Sequence, residues 1–144
     1  MSLFDAIDIS ASGLTANRTR MDVTAENLAN AETTRGANGQ PYQRQEVVLQ
    51  QIGGFGAALA GAMNQTTAAG GVQVSGIVSD PTPDQLVYDP GNPDADTKGY
   101  VKMPNVNSVT EMVDMIDESR SYEANVTAMN TSKDMYQKTL GLLK

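Results

Sequence analysis

The chain has 144 residues, a net charge of −7 and no Cys, His or Trp. Without Cys or His there is no common nucleophile–base pair, no imidazole acid–base chemistry and no zinc site of the usual kind. The acidic balance leaves no basic footprint for nucleic acid, and no run approaches the ~18 apolar residues of a membrane span.

The first element is a helix from Leu3 to Ala31. Leu3, Ile7, Leu14, Met21 and Leu28 lie on one line, the last four spaced by seven, with Ala11, Ala25 and Ala29 on its flank. Such a thin, alanine-flanked stripe suits close helix approach. Gly13 weakens the helix by about 1 kcal/mol relative to Ala, so a packing contact or a bend is expected there. Asp5 and Asp8 interrupt the apolar start, which lacks the basic region of a signal peptide; no cleavable signal is expected.

The middle of the chain reads as strands and turns. Residues 30–36 are polar enough to stop a helix, and Asn38-Gly39 favours a tight turn with positive φ. Gln43–Ile52 reads as a strand. Residues 53–71 hold six Gly and six Ala; a flexible loop or hairpin tip is favoured over a short helix at 55–63. Val72–Val78, Leu86–Tyr88 and Tyr100–Met103 read as further strands, separated by the Asp80–Pro83 turn and an acidic loop at 89–99. So few large apolar residues make a marginal core, which should lean on neighbours. The acidic loop matches a calcium-binding loop at Asp94, Asp96 and Gly99. It departs at Lys98 and at Asn105, where a bidentate Glu belongs, and no helix precedes it. No metal or cofactor is expected, and the paired carboxylates Asp94/Asp96 and Asp117/Glu118 read as solvated surface.

The last element organises the rest. Ser108 to Leu143 contains no Pro, and its only Gly is Gly141. Ser108 with Glu111 forms a capping-box pattern. With heptad position a at Met112, the a and d positions are Met112, Met115, Ser119, Tyr122, Val126, Met129, Lys133, Tyr136, Leu140 and Leu143. Eight of these ten are apolar, the seam of a helix that buries one stripe against other helices. The tyrosines and methionines on this seam read as packing residues rather than as a stacking platform or promiscuous groove. At about 1.5 Å per residue the helix is too long for a compact core and needs a partner. Residues 1–34 supply one in the same chain.

The expectation is therefore an α+β fold. A helical domain made from residues 1–34 and 108–144, paired as a coiled coil, carries a small β-rich domain at 35–107. The expected assembly surface is Leu3, Ile7, Leu14, Met21 and Leu28 on the first helix. On the second it is Met112, Met115, Tyr122, Val126, Met129, Tyr136, Leu140 and Leu143. Two functional readings fit such a molecule: a structural subunit of a helical assembly, or a soluble coiled-coil adaptor.

Several stretches carry a family resemblance. Ser12-Gly13-Leu14-Thr15-Ala16, Val23, Asn27-Leu28-Ala29-Asn30-Ala31 and Thr33-Thr34 resemble the amino-terminal signature of bacterial flagellar rod and hook axial proteins. Pro41–Arg44, Gly76–Val78, Leu86–Gly91, Asn92–Asp96, Gly99–Val101, Met103–Asn107, Glu111–Ile116 and Ser119–Asn125 resemble the proximal-rod branch of that family. The resemblance covers nearly the whole chain except 53–71. It implies a structural, non-enzymatic component of the flagellar basal body that polymerises with other rod proteins and with copies of itself. It further implies export, unfolded, through the flagellar type III apparatus to a periplasmic rod resting on the basal-body base and export gate and transmitting torque. The adaptor reading becomes an export cofactor of the same system.

Overall fold

The computed structural model describes residues 3–36, 38–53 and 70–142. Its elements are α1 (Leu3–Ala29), β1 (Gln45–Gln51), β2 (Val72–Ser79), β3 (Gln85–Tyr88), β4 (Tyr100–Met103) and α2 (Ser108–Leu142). Two long helices, about 40 Å and 52 Å at 1.5 Å per residue, flank a small β region, so the fold is α+β. The expected loop at 53–71, with the weighed helix at 55–63, falls mostly outside the described residues.

Helix α1 carries many hydroxyl residues, and they turn inward on the backbone. Ser10, Thr15 and Thr19 donate to the carbonyls of Ala6, Ala11 and Thr15, which satisfies their donors inside the helix. The helix ends at Ala29: Asn30 still donates to the Glu26 carbonyl through its backbone N–H and its side-chain amide, and the chain then tightens into three-residue turns, Ala31 N–H to Leu28 and Thr33 N–H to Asn30. The chain then reverses through Gly39 at φ 72, the positive φ expected of Asn38-Gly39. The Tyr42 N–H closes this loop on the Thr33 carbonyl.

The start of α2 corrects the capping-box expectation. Asn107, not Ser108, is the cap: its Oδ1 accepts from the Val109 and Thr110 amides at 3.0 and 3.2 Å. Glu111 does not reach back to the cap. Its side chain is 1% exposed and points into the molecule. An Asn side chain satisfies the orphan amides as well as Ser does, and Glu111 is released for other work.

The two helices pack antiparallel. Asn27 meets Glu111, Arg20 meets Glu118, and a Cβ on Gly13 would lie 3.0 Å from the Asn125 side chain. Seven residues back along α1 correspond to seven residues forward along α2. Gly13 is therefore the packing contact expected of it. In both helices this contact line runs one residue before the apolar line. It passes through Gly13, Arg20 and Asn27 rather than Leu14, Met21 and Leu28, and through Glu111, Glu118 and Asn125 rather than Met112, Ser119 and Val126. One residue is a rotation of about 100°. Small and polar side chains thus meet directly at these three levels, while Leu14, Met21, Leu28, Met115, Tyr122, Val126 and Met129 beside them are half-buried and Ala16 and Val23 are buried.

Strands β1 and β2 form an antiparallel hairpin, Gln45 opposite Ser79 and Gln51 opposite Val72, with a one-residue irregularity between Val48 and Leu49. The hairpin packs on α1 and is pinned there at two points. At one end the Asn27 side chain pairs with the Gln45 backbone. At the other, the Val72 N–H donates to Ser12 Oγ at 3.1 Å, and Gly71 at φ +92 sits so close to Ser12 that a Cβ would lie 2.5 Å from its hydroxyl oxygen. The spans match: fifteen helical residues from Ser12 to Asn27 rise about 22 Å, and six strand steps cover about 20 Å. Strands β3 and β4 form a second antiparallel pair, Gln85 opposite Met103. Tyr88 and Tyr100 meet edge to face at 5.3 Å. The loop between them is closed by Asp96, whose Oδ1 accepts from the Lys98 and Tyr100 amides, while Asp94 accepts from Thr34.

Candidate functional site

The described residues hold two features that bear on function: a buried polar hub that fixes the β hairpin to the helix pair, and the exposed apolar surface of α2.

Asn27 is the centre of the hub. It is 1% exposed and all four of its hydrogen-bonding positions are used. Nδ2 donates to the Gln45 carbonyl at 2.9 Å and to Glu111 Oε2 at 3.0 Å; Oδ1 accepts from the Gln45 N–H and the Tyr42 hydroxyl, both at 2.9 Å. The side-chain amide therefore stands beside Gln45 as a neighbouring strand would, at the position where β1 needs a partner. Burial, with the charges of Glu26 and Glu111, pushes the Tyr42 phenol up to about 12, so it remains a donor to Asn27 throughout the neutral range. Glu111 Oε1 takes the Arg44 Nε, so its two oxygens are bound by different elements. Arg44 also faces Glu46, Asp80 and Asp114. Its burial opposes the charge, but Glu111 and Glu46 more than offset that, and the guanidinium is held charged. Asn105 completes the hub: Oδ1 accepts from the Arg44 N–H at 2.7 Å, and Nδ2 donates to the Asp80 and Thr82 carbonyls. Five separate stretches of chain meet here.

Beside the hub lies a polar cavity of about 240 Å³ lined by Arg20, Thr24, Asn27, Arg44, Asp114 and Glu118, among others. Glu118 is 5% exposed; Oε1 faces Arg20 at 3.2 Å and Thr24 at 3.4 Å, while Oε2 has no hydrogen-bond partner among the described residues. Burial raises the Glu118 carboxyl; Arg20 and Thr24 pull it down, and Asp114 and Glu111 push it up again. No cluster of three or more carboxylates with metal-binding geometry occurs among the described residues.

The residues expected to form an assembly surface divide into three groups. Met112 is 50% exposed, Leu140 48% and Tyr136 39%. Ile7, Leu14, Met21, Leu28, Met115, Tyr122, Val126 and Met129 are half-buried. Leu3 lies in α1, but neither its side chain nor Leu143 is among the residues whose surroundings are described. Beside Met112, the side chains of Val109, Val113 and Ile116 are each more than half exposed. With Met112 they form an i, i+3, i+4, i+7 stripe of large apolar groups in solvent. The sequence reading missed the stripe's breadth, because heptad bookkeeping counted only a and d. It also missed Arg44, Asn105, Glu111 and Glu118 as packing residues. The seven-residue spacing of Glu111, Glu118 and Asn125 was the available signal.

Comparison with known proteins gives this architecture a context. A family model described as flagella basal body rod protein matches residues 7–37, and one described as flagellar basal body rod FlgEFG protein C-terminal matches residues 97–142. The two matched stretches cover most of α1 and of α2, and hold Asn27, Asn105 and Glu111. They define a structural component of the bacterial flagellar basal-body rod, part of the motility apparatus. The flagellar basal-body rod protein FlgC of Escherichia coli O6:H1 is 49% identical over 142 residues, covering 99% of this chain and 98% of the relative. That of Bacillus subtilis strain 168 is 49% identical with complete coverage of both chains, and that of Borreliella burgdorferi is 42% identical over 100% of this chain and 99% of the relative. The chain belongs to the FlgC family of flagellar basal-body rod proteins. That family is structural and not an enzyme family, and the adaptor reading is not favoured.

Proposed function

We propose that this chain is an axial subunit of the proximal rod. In this reading residues 1–34 and 108–144 pair as a coiled coil that lines the inner tube, and residues 35–107 form a small outer domain. The subunit polymerises with other rod proteins and with copies of itself, rests on the basal-body base and export gate, and passes torque along the shaft. It reaches the periplasm unfolded through the type III apparatus, without a cleavable signal. It carries no catalytic activity, cofactor or nucleic-acid site.

One observation supports this most: the start of α2 carries four large apolar side chains, Val109, Met112, Val113 and Ile116, each at least half exposed. A monomer that closed its core through Met112 and Leu140 would have nothing left to associate with. An exposed apolar stripe of this kind marks an interaction surface, and a helix-to-helix contact repeated along an axis gives a tube rather than a closed dimer. The test is quantitative mass spectrometry on washed, purified basal bodies. A fixed, multi-copy ratio to the other rod proteins that survives washing is expected; abundance in the cytosol with absence from the rod would overturn the reading.

A further inference from the structure

We propose that the polar cavity between α1, β1 and α2 binds one primary ammonium group, held by Glu118 with Asp114. Its source is either a small amine in solution or a lysine side chain of a neighbouring protein. The site belongs to the chain itself and does not depend on how the chain assembles.

Glu118 carries the proposal. Its side chain is 5% exposed and lines the cavity. Oε1 has two donors, the Arg20 Nε and the Thr24 hydroxyl, and Oε2 has none among the described residues. A buried carboxylate oxygen without a donor is costly, and a bound donor relieves it. Protonation shows the same shortfall: Arg20 and Thr24 do not offset the burial that raises this carboxyl.

Charge decides which donor fits. Five carboxylates face two guanidinium groups here: Glu118 faces Arg20, while Glu46, Asp80, Glu111 and Asp114 all face Arg44. Arg18 and Arg120 stand two residues from Arg20 and Glu118, a turn of about 200° to the other side of each helix. Asp114 and Glu118 stand four residues apart on one face of α2, a like-charge pair that a shared cation relieves. Asp114 is 41% exposed, so the site is reached from solvent. The carboxylates form no metal-binding group among the described residues, so the cation must bring its own hydrogen-bond donors. An ammonium does: it is a compact charge with three N–H groups and no planar fork to match. The cavity of about 240 Å³ has room for it.

The free chain gives the first reading. Methylammonium chloride at neutral pH is expected to raise the thermal unfolding midpoint saturably. Tetramethylammonium chloride at equal ionic strength should not, because it has the charge without the N–H. Glu118→Gln removes the carboxylate charge and should remove the effect. An equal rise in that variant, or with tetramethylammonium, is a general salt effect and counts as no binding. The source is read in washed rods with a zero-length carbodiimide, which joins a carboxylate to an amine that touches it. An amide between Asp114 or Glu118 and a lysine of another chain assigns the site to a neighbour's side chain. Saturable binding without that amide assigns it to a free amine. No specific rise and no amide would overturn the proposal, with water then the occupant of the cavity, and would leave the axial-subunit reading untouched.

Discussion

Asn27 shows how much one side chain can hold. Replacing it with Ala leaves the Gln45 amide and carbonyl and one Glu111 oxygen without their partner, each of which costs about 1–3 kcal/mol if unrelieved. Asn27→Ala should therefore lower unfolding stability by about 3 kcal/mol, read from urea denaturation; a loss under about 1 kcal/mol would mean that water replaces the amide. Glu118 gives a prediction with a sign. Its carboxyl is raised above the ordinary 4.5 by burial, so the folded chain holds the proton more tightly than the unfolded chain. The associated stability is fully present below pH 4.5 and is lost as pH rises through the folded value. Glu118→Gln keeps the acceptor for Arg20 and Thr24 but cannot ionise. Its stability relative to the native chain should rise between pH 4 and pH 7; a pH-independent difference would remove the account. Neither role was legible beforehand. A buried Glu and a surface Glu look alike in a sequence, and only the fold brings Arg44, some 67 positions away, onto Glu111.

At the scale of elements the sequence was more informative, because periodicity is local. The four strands and both helices lie where alternation, turn residues and heptads place them. The errors are at boundaries and rotations. Ser108 and Asn107 are both good caps, and nothing in the linear pattern chooses between them; the structure does. Asn107→Ala should cost about 1 kcal/mol and Ser108→Ala close to nothing, a contrast that thermal unfolding of the two variants resolves. The reverse ranking would restore the capping box. Heptad reading follows the apolar line, and it passes over Gly13, Asn27, Glu111 and Asn125, which also meet between the helices. A small or hydrogen-bonded residue brings two helices together without the area that a hydrophobic pattern detects.

For the whole molecule, the same rotation turns a structural detail into a property. The hub and the two pins hold the β hairpin against α1, so the helix pair and the hairpin form one unit. Large apolar side chains of α2, Val109, Met112, Val113 and Ile116 among them, remain exposed on that unit. A charge placed there should separate folding from assembly. Met112 is half exposed in the free chain, so Met112→Asp should change monomer stability by less than about 0.5 kcal/mol while abolishing incorporation into rods. A variant that unfolds the monomer would mean that Met112 belongs to the internal core. Motile cells with normal rods would mean that the stripe faces solvent in the assembly.

The central claim is that the α2 surface, exposed in the free chain, is buried when the subunit enters the rod. Methionine oxidation reads this directly, since thioether reactivity follows exposure. The purified chain and intact washed rods would be treated with the same dose of peroxide and the sulfoxide at Met112 and Met135 measured by mass spectrometry. Ready oxidation of both in the free chain and protection of both in the rod is the predicted result. Equal oxidation of Met112 in the two preparations would contradict the account.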